Sequence, residues 1–374
     1  MSNLVYIAAA GSGKTTALVR KACALPLSEY VLILTYTDSN EKEIRNKFYQ
    51  EKGYIPQNVA IQSWFSFLVQ HLIKPYQNYL TDDNFVIKGL AMVQSSGKKN
   101  KKAYRIPKVK WEKYYFTQHQ KALTEKLSEL AYDCNIKSGG KSIQRLCDIF
   151  ENIYIDEVQD FAGYDLELIK FFFLSKSSVI LAGDPRQTIY LTNHNGNKNV
   201  SFRNGKILDY LSKQKELRGK YQVDINTLNS SRRCCPEICE YASVITPVFN
   251  KTTSLTDYQN KLCGVYLVKE NDKTDFLCHY DNCVQLRHSI LTKRIDSNHA
   301  VMNFGDSKGM TFESVLIYPT QPMVKWIENH NEILEETSRN KFYVAVTRAR
   351  YLVGIVWTKE TCSATDINFW SPAI

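Results

Sequence analysis

An apolar run over residues 4–10 passes straight into Gly11-Ser12-Gly13-Lys14-Thr15, and a helical pattern starts at once behind it. Few local patterns limit a fold so tightly. A strand that ends in a glycine turn and feeds a helix points backbone N–H groups inward at the positive end of the helix dipole, which makes a cradle for phosphate oxygens. In such a cradle Ala10, Gly11, Ser12 and Gly13 line the turn and the Lys14 ammonium neutralises the outer phosphates. The Thr15 hydroxyl stands where Mg²⁺ is ligated, and Thr16, at the start of the helix, is expected to bind the nucleotide as well. The generic pattern has glycine where this chain has Ala8.

The segments that follow keep the same alternation. Strand-like stretches at 30–35, 59–61, 152–155 and 178–182 are separated by helical ones at 39–50, 63–72 and 164–174. That spacing implies a parallel sheet with helices on both faces, so the expected fold class is α/β. After a polar stretch at 193–202, a second series has strands expected at 222–227, 264–269, 300–303, 315–318 and 351–357. Its helices are expected at 236–244, 273–292 and 332–346. Between 74 and 140 the alternation lapses, and the stretch reads as an inserted, mainly helical subdomain. The expected organisation is a first α/β domain over 1–73 and 141–195, the insertion over 74–140, and a second α/β domain over 196–374. A chain of 374 residues is long enough for two cores.

A second chemical signal lies at the end of the strand at 152–155, where Asp156-Glu157-Val158-Gln159-Asp160 follows Ile153-Tyr154-Ile155. Asp156 is suited to the Mg²⁺ shell, and Glu157 to orienting or deprotonating an attacking water. The net charge of +10 is compatible with a polyanionic partner but decides little alone. No stretch is long and apolar enough for a membrane span, and residues 4–10 lead into a glycine turn and not a cleavage site, so a soluble cytoplasmic protein without a membrane partner is expected. In that compartment the ten cysteines stay reduced. Two crowded groups, Cys234/Cys235/Cys239 and Cys278/His279/Cys283/His288, lack paired C-x-x-C spacing and read as thiols without metal.

Taken together, these segments resemble the UvrD/Rep family of superfamily 1 helicases. The first motif is similar to that family's phosphate loop, which also begins with alanine, and Asp156–Asp160 matches its D-E-x-Q-D box. Leu34-Thr35-Tyr36-Thr37, Gly183-Asp184-Pro185-Arg186-Gln187-Thr188-Ile189-Tyr190, Ser231-Arg232-Arg233, Ser307-Lys308-Gly309-Met310-Thr311-Phe312 and Phe342-Tyr343-Val344-Ala345-Val346-Thr347-Arg348-Ala349-Arg350 follow in family order. The resemblance implies two RecA-like P-loop domains in tandem that clamp one ATP and Mg²⁺. It implies Gln187 as a coupler of the γ-phosphate to nucleic acid, Arg233 and Arg348 as arginine fingers, and Gly309 near the nucleotide. It also implies single-stranded or forked DNA contacts at Thr35, Tyr36, Thr37, Ser63, Trp64 and Tyr190, and a 3′ to 5′ motor. On the residues alone, Trp64 and Phe65 read equally well as core of the helix that follows them.

Several positions depart from the family pattern. No glutamine motif precedes the first strand, Leu191-Thr192-Asn193-His194 replaces an aromatic-Arg-Gly-Ala segment, and Gly305 and Thr311 stand where the family has His and Glu. The span between Arg233 and Ser307 is too short for the bulky second insertion of typical members. That loss points toward a translocase, or toward a regulatory ATPase that signals DNA state to a partner effector such as a nuclease, as in the helicase-like half of Gabija-type antiphage systems. The basic run at 98–113, interleaved with Tyr104, Trp111, Tyr114 and Tyr115, reads either as solvated surface or as a nucleic-acid contact.

Overall fold

All five residues of the segment Val31–Thr35 are buried, as expected for a central strand covered on both faces. Around it the computed structural model builds a parallel α/β layer. The structure describes residues 3–81, 85–92, 98–99, 102–103, 106–189, 198–257, 262–280, 282–364 and 366–371. The first sheet contains β1 (Asn3–Ile7), β2 (Val31–Thr35), β3 (Val59–Ser63), β4 (Asn152–Ile155), β5 (Ser178–Gly183) and β6 (Tyr221–Asp224). Their order is β6-β1-β5-β4-β2-β3. The pairs β2–β3, β2–β4 and β4–β5 are all parallel. The helices α1 (Lys14–Cys23, from Thr15 on), α2 (Asp38–Lys52), α3 (Trp64–Phe67), α4 (Leu127–Lys137), α5 (Lys141–Ile149) and α6 (Tyr164–Leu174) belong to the same unit.

The second sheet contains β7 (Gly264–Lys269), β8 (Val284–Arg287), β9 (Val301–Asn303), β10 (Phe312–Ile317), β11 (Ala349–Trp357) and β12 (Asn368–Phe369). They run in the order β9-β8-β10-β11-β7-β12, and every pair is parallel. Helices α7 (Pro236–Ile245), α8 (Lys273–His279), α9 (Gln321–Glu328) and α10 (Glu336–Val346) complete this unit. Ile238, Leu267, Val315, Phe342, Val353 and Ile355 share one of its cores. The fold is therefore mixed α/β with two parallel sheets.

By contacts, one compact unit is Met1–Tyr6, Thr15–Gly183 and Leu191–Val223, and the other is Ile7–Lys14, Asp184–Tyr190 and Asp224–Ile374. The strand expected at 222–227 forms as β6 on the edge of the first sheet. Its immediate anchor is Asn3, whose side-chain amide donates to the Lys220 carbonyl. A tie spanning more than two hundred residues has no local signature.

Two expected elements take other shapes. The helix expected at 63–72 is one α-turn, Trp64–Phe67, followed by a π-helical turn at Leu68–Ile73 and a 3₁₀ turn at Lys74–Tyr79. The helix expected at 273–292 stops at His279, and β8 follows. Asn282 at φ 58 breaks it, and the Gln285 side chain is fully buried, its amide donating to the Asp296 carbonyl at 2.7 Å. A polar residue satisfied by distant backbone mimics a helix surface in sequence. Beside α4 and 3₁₀ turns at Lys74–Tyr79 and Thr124–Lys126, the described part of the stretch at 74–140 also holds short strands. Gly89–Ala91 pairs in parallel with Lys121–Leu123, Lys98–Lys99 pairs antiparallel with Lys102–Ala103, and Trp111–Tyr115 is a single helical turn.

Candidate functional site

The phosphate loop is held by its own backbone. The Arg186 guanidinium donates to Ala8 O at 2.7 Å, Ala9 N–H donates to Leu228 O at 2.7 Å, and Arg232 N–H donates to Gly11 O at 2.8 Å. Gly11 has φ 70, and a Cβ there would lie 2.6 Å from Arg233 Cβ and 2.8 Å from Ser231 Oγ. Only glycine satisfies both the left-handed backbone and the close approach. Ser12 and Lys14 are buried, and the Ser12 hydroxyl has no protein partner. A buried hydroxyl without a partner in a lysine-bearing glycine loop fits a phosphate ligand. Ala10 N–H donates to the Tyr343 hydroxyl at 3.3 Å, which anchors the loop to α10.

The arginines expected as fingers are placed in the same unit. Arg233 is half-buried and donates to the Thr347 carbonyl at 3.2 Å. Arg348 is 1% exposed, and its guanidinium donates to Val344 O at 3.0 Å, Met310 O at 3.1 Å and Gln187 Oε1 at 3.1 Å. Gln187 in turn donates to Asp184 Oδ2 at 2.8 Å. The two motif residues Gln187 and Arg348 are thus joined directly. Gly309 lies in the exposed turn at φ 86, and that turn supplies the Met310 carbonyl to Arg348.

Arg186 carries a role that the motif alone did not reveal. It is buried between the rings of Phe249 and Tyr343, each centred 5.2 Å away, and pairs with Asp184 Oδ1 at 2.7 Å. Burial works against its charge, but Asp184 and its hydrogen bond outweigh that and hold the guanidinium charged. The signal available in sequence was Arg186 beside Asp184 in one motif, without a hint of the Ala8 carbonyl as its target.

In the first unit the expected Mg²⁺ ligands meet. The Thr15 hydroxyl donates to Asp156 Oδ2 at 2.7 Å, and Asp156 is 1% exposed. Asp156 is reached through β4, whose exit is set by Asp156 N–H donating to Leu34 O at 2.8 Å. An all-oxygen pair of this kind suits Mg²⁺. Glu157 has φ 55, a left-handed conformation that costs a non-glycine residue on the order of 1–3 kcal/mol and is often kept at functional sites. The Gln159 amide donates to Glu157 Oε2, and Glu157 N–H donates to Asp156 Oδ1 at 2.9 Å. Thr16 is partly exposed on α1.

The expected nucleic-acid contacts divide. Tyr36 is half-buried at the end of β2 and meets the half-buried Phe65 edge-on at 5.7 Å. Burial, with Asp165 and Asp160 nearby, pushes the Tyr36 phenol up to about 12, so it stays protonated. Thr37 is exposed and accepts from Asn40 N–H at 3.2 Å as the N-cap of α2. Thr35 is fully buried with an unpartnered hydroxyl, and Ser63 is buried with its hydroxyl on Ser66 Oγ at 3.0 Å. Trp64 is 0% exposed, lies edge-on to Phe161 at 4.7 Å, and donates from Nε1 to Asp165 Oδ1 at 2.7 Å. Its ring is core, so Phe65 takes the surface position expected of Trp64. Tyr190 lies outside the described residues.

Part of the basic run is committed to the fold. Lys108 pairs with Glu129 at 3.0 Å and Asp133 at 2.7 Å, and Trp111 packs edge-on against Phe85 at 5.2 Å. Tyr114 donates to Glu129 Oε2 at 2.8 Å. Lys101 and Tyr104 lie outside the described residues. No helix among the described residues is long and apolar enough to cross a membrane.

A family model described as an AAA domain matches residues 1–193, which is slightly more than half of the 374-residue chain. No curated protein matches. Among solved structures, the complex of the arterivirus nonstructural protein 10 helicase with DNA is similar at 14% identity and a TM-score of 0.47. The likeness covers 96% of this chain and 62% of that one, so this chain spans less than two thirds of that protein's length.

Proposed function

The chain belongs to the AAA domain family, and from that premise we propose that it is an Mg²⁺-dependent ATPase that steps along single-stranded DNA in the 3′ to 5′ direction. The observation that carries this reading is the 2.7 Å bond between Thr15 and Asp156, two oxygen ligands that the motifs require and that lie far apart in sequence. Lys14 and Ser12 hold the phosphates, and Glu157 orients and deprotonates the attacking water. Thr15 and Asp156 would hold Mg²⁺, which would supply neutralisation of phosphate charge. Arg233 and Arg348 stabilise charge that spreads over the phosphate oxygens in the transition state. Gln187 is hydrogen-bonded to Arg348, which supports its part as the coupler between hydrolysis and the nucleic-acid surface. That surface is the Tyr36–Phe65 edge pair with Thr37, where unpaired bases stack.

The test is steady-state ATP hydrolysis with and without single-stranded DNA. Stimulation by DNA is expected, with Tyr36→Ala losing most of the stimulation and little of the basal rate. An ATPase indifferent to every DNA and RNA tried overturns the motor reading, and points instead to a switch gated by a partner protein.

A further inference from the structure

The two cysteine groups crowded in the sequence, read there as thiols without metal, are not among the candidate ligand sets of the described residues. The second unit instead gathers Cys235, Glu237 and Cys263, whose Sγ, carboxylate O and Sγ atoms lie within 4.8 Å of one another. The meeting follows from the backbone. Cys235 N–H donates to Arg350 O at 2.8 Å, and its Sγ–H donates to Tyr351 O at 3.4 Å, so it lies against the first residues of β11. β7 pairs with the same strand, with Gly264 opposite Leu352. Cys263, one residue earlier, is therefore brought beside Tyr351. Gly264 at φ 141 allows the entry, since a Cβ there would meet the Tyr266 ring at 2.8 Å.

We propose that Cys235, Glu237 and Cys263 form a site for one Zn²⁺-type divalent cation, with a fourth position left to water. Two thiolates and one carboxylate are the donor set of a borderline-soft ion and not of Mg²⁺ or Ca²⁺. Tetrahedral Zn²⁺ with its usual bond lengths spaces such donors about 3.6–3.8 Å apart, inside the 4.8 Å that bounds the present spacing. Cys235 is the N-cap of α7 and Glu237 lies in its first turn, where the helix dipole favours both anions. Glu237 is exposed, so its carboxylate reaches the cation from the solvent side, while Cys235 is buried.

The thiolate is the form that binds a cation, so binding releases thiol protons and affinity rises with pH. The bound cation ties the start of α7, two residues beyond Arg233, to the start of β7. It closes the chain between them and steadies the Arg233 segment.

The experiment uses the full chain, stripped with a chelator, kept reduced by a phosphine, and free of nucleotide. Co²⁺ is titrated while thiolate-to-cobalt absorption is followed, and Zn²⁺ is then added. One equivalent of Co²⁺ should give the band and Zn²⁺ should displace it. Cys263→Ser should abolish the band and Cys278→Ser, at an exposed thiol, should leave it intact. Glu237→Gln changes only a surface carboxylate, so it keeps the fold and should weaken Co²⁺ by at least ~10-fold, the loss that even an outer partner of a ligand produces. Three results overturn the site: no thiolate band at one equivalent, a band that survives Cys263→Ser, or unchanged affinity in folded Glu237→Gln.

Discussion

The phosphate loop at 8–14 and the carboxylate turn at 156–160 are built by opposite means. In the loop, main-chain atoms of Ala8, Ala9, Ala10 and Gly11 are bonded one after another to Arg186, Leu228, Tyr343 and Arg232. Its shape is a property of main-chain hydrogen bonds to residues far downstream. In the turn, side-chain oxygens do the holding: Asp156 accepts from Thr15 and from Glu157 N–H, and Glu157 accepts from Gln159. Glu157 also stays at φ 55. Gly11 apart, a loop held by backbone keeps its shape through changes in its own side chains but not in its distant anchors. A turn held by carboxylates is sensitive to its own charges.

The largest effect that would sharpen this contrast is on turnover. Lys14→Ala and Glu157→Gln should both reduce ATP hydrolysis to background, yet only Lys14→Ala should lose ATP binding, read by equilibrium titration with a fluorescent nucleotide. Background turnover with intact binding in both would remove the distinction between the two regions. Arg348→Ala should lower kcat by about 10³-fold, as for an arginine finger, with a smaller change in nucleotide Kd. Equal losses in the two would make Arg348 a ground-state contact.

Next in size is a change in stability. Arg186→Met should cost about 3–5 kcal/mol in denaturant unfolding, because Asp184 is left buried without its cation. Nucleotide affinity should fall with it, since Ala8 O loses its donor. A stable Arg186→Met variant with normal affinity would break the claim that distant anchors shape the loop. The smallest effect runs the other way. Glu157→Gly should abolish turnover while raising unfolding stability by ~1 kcal/mol, through relief of the left-handed backbone. A loss of stability would mean that the Glu157 carboxylate holds the turn more strongly than its backbone strains it.

Much of the site was legible because it is local. Glycines that permit positive φ, a lysine and threonine behind them, and acids at the end of an apolar run are short-range patterns with short-range causes. The same holds for β2 and β4, whose apolar runs announce burial on both faces. Trp64 and Phe65 show where that legibility stops. Adjacent aromatics in a turn point to opposite surroundings, and nothing in their order says which one meets Asp165 and Phe161.

By itself, then, the sequence determined the α/β class and singled out the glycine loop, the carboxylates and the arginines as candidates for chemistry. Tertiary structure alone decided that Ala10 N–H goes to Tyr343, that Arg186 holds Ala8, that β6 joins the first sheet and that Cys263 comes to Cys235. Each of these joins residues from 28 to more than 300 positions apart. Strand register and the burial of single polar groups, not local propensity, select such pairs.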